Sequence, residues 1–252
     1  MTRPQVVRVI GGLKSLLTGV KRVLACSILI ASTLSFSAET TVEPGIRALE
    51  RGHYSTAMRS WLPLAREGLA EAQNNVGLMY ERGLGVTQNY PDAMNWYRQA
   101  ADQGLAEANL NLGLLYYSGY GTQVNDREAF RRFRAAAAEK LAEAQYMLGL
   151  MHYAGRGTAQ SFIEAYRGFL DAAKQGYPEA QYMLSYLLLS GDLGKMQPDA
   201  SYVWSKIAKN QGFADAEELN YLATLELDES AIQAAEAVAI QCAASNYQNC
   251  PE

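Results

Sequence analysis

Ala142-Glu-Ala-Gln-Tyr-Met-Leu-Gly-Leu-Met-His-Tyr-Ala154 decides the fold. Its apolar residues recur three and four apart, which is the spacing of a helix and not of a strand. Ala-Glu-Ala also begins at Ala70 and Ala106, and Pro178-Glu179-Ala180 and Ala214-Asp215-Ala216 continue the series at the same interval of 36 residues. Self-similarity at that period is the mark of a stacked repeat array. Four complete units follow without a gap, at residues 70–105, 106–141, 142–177 and 178–213.

Each unit reads as two helices. The acid at the second position (Glu71, Glu107, Glu143, Glu179, Asp215) falls in the first turn and complements the positive helix end. A glycine pair follows the first helix at Gly83/Gly85, Gly119/Gly121 and Gly155/Gly157. The first glycine should close the helix in the left-handed conformation, and the second relaxes the loop. The second helix opens at the capping residues Asn89, Asn125 and Ser161. Alanines and one aromatic (Tyr97, Phe133, Phe169) then recur in phase, and Gly104, Gly176 and Gly212 end the helix, with Lys140 the exception in that column. Gly77, Gly113 and Gly149 hold position eight of the first helix, where glycine costs about 1 kcal/mol relative to alanine. Recurrence at a costly position implies close contact with a neighbouring helix.

The flanks differ from the middle, as array ends must. Residues 38–69 read as an N-terminal capping pair, Val42–Arg51 and Tyr54–Glu67. Residues 214–252 read as a C-terminal pair, Asp215–Glu226 and Glu229–Ala244, followed by a short tail. The fold class expected is all-α, a solenoid of antiparallel helix pairs wound as a right-handed superhelix.

Residues 1–37 are another kind of sequence. Arg3, Arg8, Lys14, Lys21 and Arg22 precede an apolar run from Val23 to Phe36, and cleavage after Ser37 would put small residues at −1 (Ser37) and −3 (Ser35). That is the pattern of a secretory signal peptide. Two other readings stay open: an uncleaved anchor, although a span needs about 20 apolar residues, and a lipoprotein box at Val23-Leu24-Ala25-Cys26. Export is expected, to the periplasm or beyond the cell, with no stable membrane insertion after cleavage. Without the segment, basic residues fall from 22 to 17 while all 26 acids remain, leaving about −9. So acidic a chain, with no basic stripe, is not expected to bind nucleic acid. Cys242 and Cys250 remain as an even pair, which an oxidising compartment would join, tethering the tail. Two unpaired thiols on a frayed tail are the alternative.

The unit from Ala70 to Gly104, with its Ala-Glu-Ala start, glycine loop and Ala-Ala…Gly close, resembles the Sel-one-like repeat (SLR) family, the tetratricopeptide-like class with an extended inner loop. The resemblance covers residues 70–213 closely and the flanks loosely. It implies an α/α superhelix acting as a protein-interaction adaptor, in many cases exported by bacteria, including host factors of pathogens and regulators of envelope signalling. One exported branch of that family is cysteine-rich and binds β-lactams. No full repeat here contains cysteine, so that activity is not carried over. The fourth unit departs from the pattern, with Gly191 and Gly194 spaced differently and Trp204 one place before the aromatic column.

By analogy with such arrays, the first helices line a concave face. Positions five, nine and twelve form its stripe: Asn74, Leu78, Glu81; Leu110, Leu114, Tyr117; Tyr146, Leu150, Tyr153; Tyr182, Tyr186, Leu189. Tyrosine combines broad contact area with a hydrogen-bonding tip. Tyr117, Tyr146, Tyr153, Tyr182 and Tyr186, with Leu114 and Leu150, are therefore the candidate partner-binding residues, unless they fill the inter-repeat core. The partner expected is another protein or a peptide, met by a monomer.

Catalytic signals are missing from the sequence. His53 and His152 have no nearby cysteine or second histidine, so a metal site is not expected. The mature chain contains no Ser-x-x-Lys, Gly-x-Ser-x-Gly, His-Glu-x-x-His or phosphate loop. Carboxylates recur in phase as helix-end and surface groups, which gives a catalytic pair no support. The reading is a non-enzymatic adaptor without a cofactor. A secreted host-interaction factor, and then a hydrolase acting on cell-wall or β-lactam substrates, are the alternatives.

Overall fold

The computed structural model describes residues 38–251, with side chains from Val42 onward. The signal-peptide reading of residues 1–37 lies outside the described residues. From residue 41 the chain forms one unit, and every contact below lies within it.

Twelve helices and no strand occur among the described residues. In chain order they are α1 (Ala38–Glu50), α2 (Tyr54–Arg66), α3 (Ala70–Arg82), α4 (Tyr90–Asp102), α5 (Ala106–Ser118) and α6 (Asp126–Ala138). Then come α7 (Ala142–Ala154), α8 (Phe162–Ala173), α9 (Pro178–Ser190), α10 (Pro198–Asn210), α11 (Ala216–Thr224) and α12 (Glu229–Ala244). From α2 to α11 each helix packs on its neighbours in the chain. The result is an all-α solenoid of helical repeats.

Local chemistry sets the boundaries. Asn89, Asn125 and Ser161 accept hydrogen bonds from the amides of Asp92, Glu128 and Glu164 at 3.1–3.2 Å, capping α4, α6 and α8. Gly83, Gly119 and Gly155 end α3, α5 and α7 in the left-handed region, at φ 66°, 73° and 66°. The second glycine of each pair has a job beyond the relaxed loop expected of it. A Cβ on Gly121 would stand 2.7 Å from Tyr90 Cβ, and one on Gly85 2.9 Å from the Tyr54 backbone. That glycine lets each loop lie on the start of the preceding unit's second helix.

Position eight works as its cost implied. A Cβ on Gly113 or Gly149 would meet the ring of Phe133 or Phe169 at 2.7 Å, and one on Gly77 the ring of Tyr97 at the same distance. These three rings are fully buried, each contributing about 1.5–3 kcal/mol by removal from water. Within the units a polar seam joins the first helix to the end of the second. Gln103 Nε2 donates to Gln73 Oε1 (2.7 Å), Gln175 to Gln145 (2.6 Å) and Gln211 to Gln181 (2.9 Å). Gln73 and Gln181 also donate back to carbonyls of the preceding helix, at Ala65 and Ala173. In the second unit, where the partner column holds Glu139, buried Arg132 donates to Asn109 Oδ1 instead (3.2 Å).

The ends close differently. Trp61, 1% exposed, packs on Gly45 and donates to the Val42 carbonyl at 2.9 Å. At the other end, α12 does not continue the hairpin rhythm, because it packs chiefly on α10 and not on α11. Its alanine-rich face permits close approach. Glu236 fixes it, accepting from the Tyr202 hydroxyl at 2.6 Å and pairing with Lys206. Cys242 and Cys250 are joined by a disulfide. The tail then lies back over earlier units: Tyr247 covers Gly176, Gln211 donates to the Tyr247 hydroxyl, and Trp204 Nε1 donates to the Pro251 carbonyl.

Candidate functional site

The stripe read from the sequence splits in two on burial. Tyr146 (7% exposed) and Leu150 (9%) are buried, as is Leu110. Tyr146 packs on Phe169 and Tyr177, with ring centroids 5.9 and 5.3 Å away. As contact residues for a partner, Tyr146 and Leu150 are therefore corrected: their bodies belong to the inter-repeat core. Tyr177, at the N-terminal edge of α9 where earlier units carry Leu69, Leu105 and Leu141, supplies one of the two rings against Tyr146.

Leu114, Tyr117, Tyr153, Tyr182 and Tyr186 stay half-buried, each with part of its side chain in solvent. α5, α7 and α9 carry them on successive first helices. Tyr153 meets Tyr186 edge to face at 6.2 Å and Phe162 at 5.6 Å. Burial, reinforced by the Tyr186 hydroxyl beside it, pushes the Tyr153 phenol up. Tyr182 rests on Phe213 at 5.2 Å. Burial, then the carboxylates of Asp215 and Glu218, push its phenol up to about 12. Both of these phenols, pushed up in this way, are hydrogen-bond donors at neutral pH.

Tyr117 is partly occupied. The Arg156 guanidinium lies 3.9 Å from its ring centroid, pairs with Asp126 and donates to the Tyr117 carbonyl at 3.4 Å. In the first unit the stripe turns inward. Glu81 accepts a 2.6 Å hydrogen bond from buried Tyr97, and Asn74 accepts one from Asn111 at 2.9 Å. Burial raises the Glu81 carboxyl, and the Tyr97 bond opposes that. The half-buried tyrosines of the stripe thus run from α5 to α9, while in α3 its polar members are engaged by the protein's own side chains.

Two groups escaped the sequence reading. Arg156 sits between the glycines of the third unit, where the others have Leu84 and Tyr120, and that substitution was the available signal. Glu143 and Glu179 were assigned to helix ends, yet both are drawn partly inside, whereas Glu71, Glu107 and Asp215 in the same column are exposed. His152 packs edge-on against Phe130 at 5.2 Å. Its buried Nδ1 has no hydrogen-bond partner among the described residues, and burial lowers its pKa. No group of three or more His, Cys, Asp or Glu side chains suited to a metal ion occurs among the described residues. None of the described helices is long and apolar enough to cross a membrane.

A family model described as the Sel1 repeat matches the chain four times, at residues 70–105, 106–140, 142–177 and 178–213. Among solved structures, a Sel1 repeat protein from Oxalobacter formigenes is 30% identical with a TM-score of 0.66, covering 71% of this chain and 74% of its own. A protective antigen present in uropathogenic Escherichia coli strains, displaying an SLR fold, is 30% identical over 72% of this chain with a TM-score of 0.67. This chain spans 40% of that antigen's length. No curated protein matches the chain significantly.

Proposed function

The chain belongs to the Sel1 repeat family, and from that premise we propose that it is an exported, non-catalytic adaptor holding another protein or a peptide against its first helices. Sel1 repeat folds typically mediate protein–protein interaction, and the family is generally a scaffold and not a catalyst. One observation carries the reading to this molecule: four half-buried tyrosines, Tyr117, Tyr153, Tyr182 and Tyr186, stand on three consecutive first helices. Half-burial fixes each ring, so little side-chain entropy is lost on binding, while the exposed part keeps area and a phenol donor for a partner. Their alignment on a concave groove rests on analogy with other helical arrays.

Export is supported by the basic-apolar-small start of the chain and by the Cys242–Cys250 disulfide, a linkage at home in the periplasm or outside the cell. A second reading, a secreted factor with a host-side partner, draws support from the likeness to the E. coli protective antigen.

Alanine at the tyrosines would empty packing as well as binding surface, so leucine is the better replacement. Tyr117→Leu, Tyr153→Leu and Tyr186→Leu together keep an apolar body at each site. The triple variant should hold its unfolding free energy within about 1–2 kcal/mol and lose most of the proteins that the unaltered chain retains from envelope extract. Undiminished retention would end the reading. Retention from host-cell extract alone would favour the secreted factor, and turnover of a peptidoglycan fragment or β-lactam by purified protein would replace both.

A further inference from the structure

α11 is the first helix of a fifth unit, in phase with the series that reaches Ala214. In the four full units, position eight of the first helix faces that unit's own second helix. A Cβ on Gly77, Gly113 or Gly149 would strike its ring, and Ser185 is hydrogen-bonded to Ser201. Position twelve turns to the same helix: Glu81 accepts from Tyr97, Tyr117 packs on Phe133 at 6.3 Å and Tyr153 on Phe162 at 5.6 Å. Neither position is exposed in any of these units. In the fifth unit both are. Tyr221, at position eight, is 61% exposed, and Leu225, at position twelve, 60%.

The helix that should cover them is elsewhere. α12 packs on α10 and is held there through Glu236, so among the described residues α11 has no second helix of its own. Tyr221 agrees with this, because a ring at position eight bars the close approach that glycine or serine allows. Leu225 keeps helical backbone angles, φ −70° and ψ −19°, so the two side chains share one face at the i, i+4 spacing. What remains open is a helix face of the kind that every full unit covers with another helix.

Charge narrows the occupant. Residues 210–252 hold eight acids and no Lys, Arg or His. Glu217 and Glu218 lie one turn before Tyr221, and Glu226 and Asp228 follow Leu225, all of them exposed. Glu217 pairs with Lys209, and Asp228 caps α12. A second copy of the chain would set these acids against their own kind, and a nucleic acid or an anionic lipid surface would be repelled in the same way.

We infer that the Tyr221–Leu225 face of α11 docks an amphipathic helix of a partner protein, one with small apolar residues along its contact stripe and Lys or Arg on its flanks. Inside the hairpins the first helix supplies the small residue and the second the ring. Here the ring stands on α11, so the incoming helix supplies the small residues. This surface shares no residue with the tyrosine stripe of α5 to α9 and stands independently of it.

The test titrates isotope-labelled protein with a peptide of three Ala-Lys-Lys-Ala-Leu-Lys-Lys repeats, following backbone amide shifts. Two controls replace every Lys by Glu, or scramble the order so that composition stays and the apolar stripe is lost. The striped basic peptide should give saturable shifts at residues 216–228, the scramble at least about tenfold weaker binding, and the acidic peptide none. Tyr221→Ser with Leu225→Ser should weaken binding about as much, with the unfolding midpoint unchanged because both side chains lie mostly in solvent. Glu218→Lys with Glu226→Lys, which leaves the apolar pair in place, should weaken it too. The Tyr117, Tyr153 and Tyr186 leucine variant should bind the peptide as the unaltered chain does. Equal binding of either control, binding that survives the serine or lysine replacements, or no shift up to millimolar peptide would each overturn the inference. So would loss of binding in the leucine variant, which would move the site to the stripe, or self-association abolished by the serine variant, which would make a second copy the occupant.

Discussion

Lys140 holds a left-handed backbone, φ 60°, in a column otherwise filled by Gly68, Gly104, Gly176 and Gly212. A side chain in that region costs about 1–2 kcal/mol, partly offset by the extra freedom glycine has when unfolded. Lys140→Gly should therefore raise the unfolding free energy by about 0.5–1 kcal/mol, measured by urea denaturation; no gain would mean that the lysine side chain contributes contacts of its own. Single residues also mark the limit of sequence reading. Lys140 was visible as an exception because a column of glycines surrounds it. The burial of Tyr146 was not, since it depends on the rings that meet it from Phe169 and Tyr177. Periodicity tells which face of a helix a residue occupies; how deep it sits is decided by the neighbour's volume.

At the level of the hairpin, a glycine in the first helix sets how close the second helix comes. The Phe133 ring lies where a Cβ of Gly113 would be, so Gly113→Leu should lower stability by about 3 kcal/mol, the upper part of the overpacking range. An unchanged urea midpoint would show that the contact gives way freely. The fourth unit solves the same approach by other means. Ser185 takes the glycine's place and exchanges hydrogen bonds of 2.9–3.0 Å with Ser201, while the aromatic moves one place to Trp204. The displacement of Trp204 was legible in the sequence. Its purpose was not, because the acceptor, the Pro251 carbonyl, comes from the end of the chain. The side-chain caps at Asn89, Asn125 and Ser161 were legible, since capping depends on residues two or three positions apart. The glutamine seam was missed although Gln73, Gln145 and Gln181 share a column, because a polar residue at a helical position looks like surface until its partner 30 residues on is placed beside it.

For the molecule as a whole, stability in such an array is close to a sum over units and their junctions, so the two ends carry unusual weight. Cys250→Ser should cost about 2–3 kcal/mol by the chain-entropy account of a short loop. It should also release residues 245–252 to proteases and redden the emission of Trp204, with the preceding repeats still helical. A variant whose tail stays protected would show that Tyr247 and Pro251 hold it without the bond. The crossing of α12 over α10 has a wider meaning. Identical hairpins have no inherent stopping point, and each exposed end invites the next. By packing on α10 and being stitched down there, α12 departs from the step that seats each earlier hairpin on the one before. The molecule is thus a ruler whose even graduations run through the repeats and give way, at α12, to a mark set by a different rule.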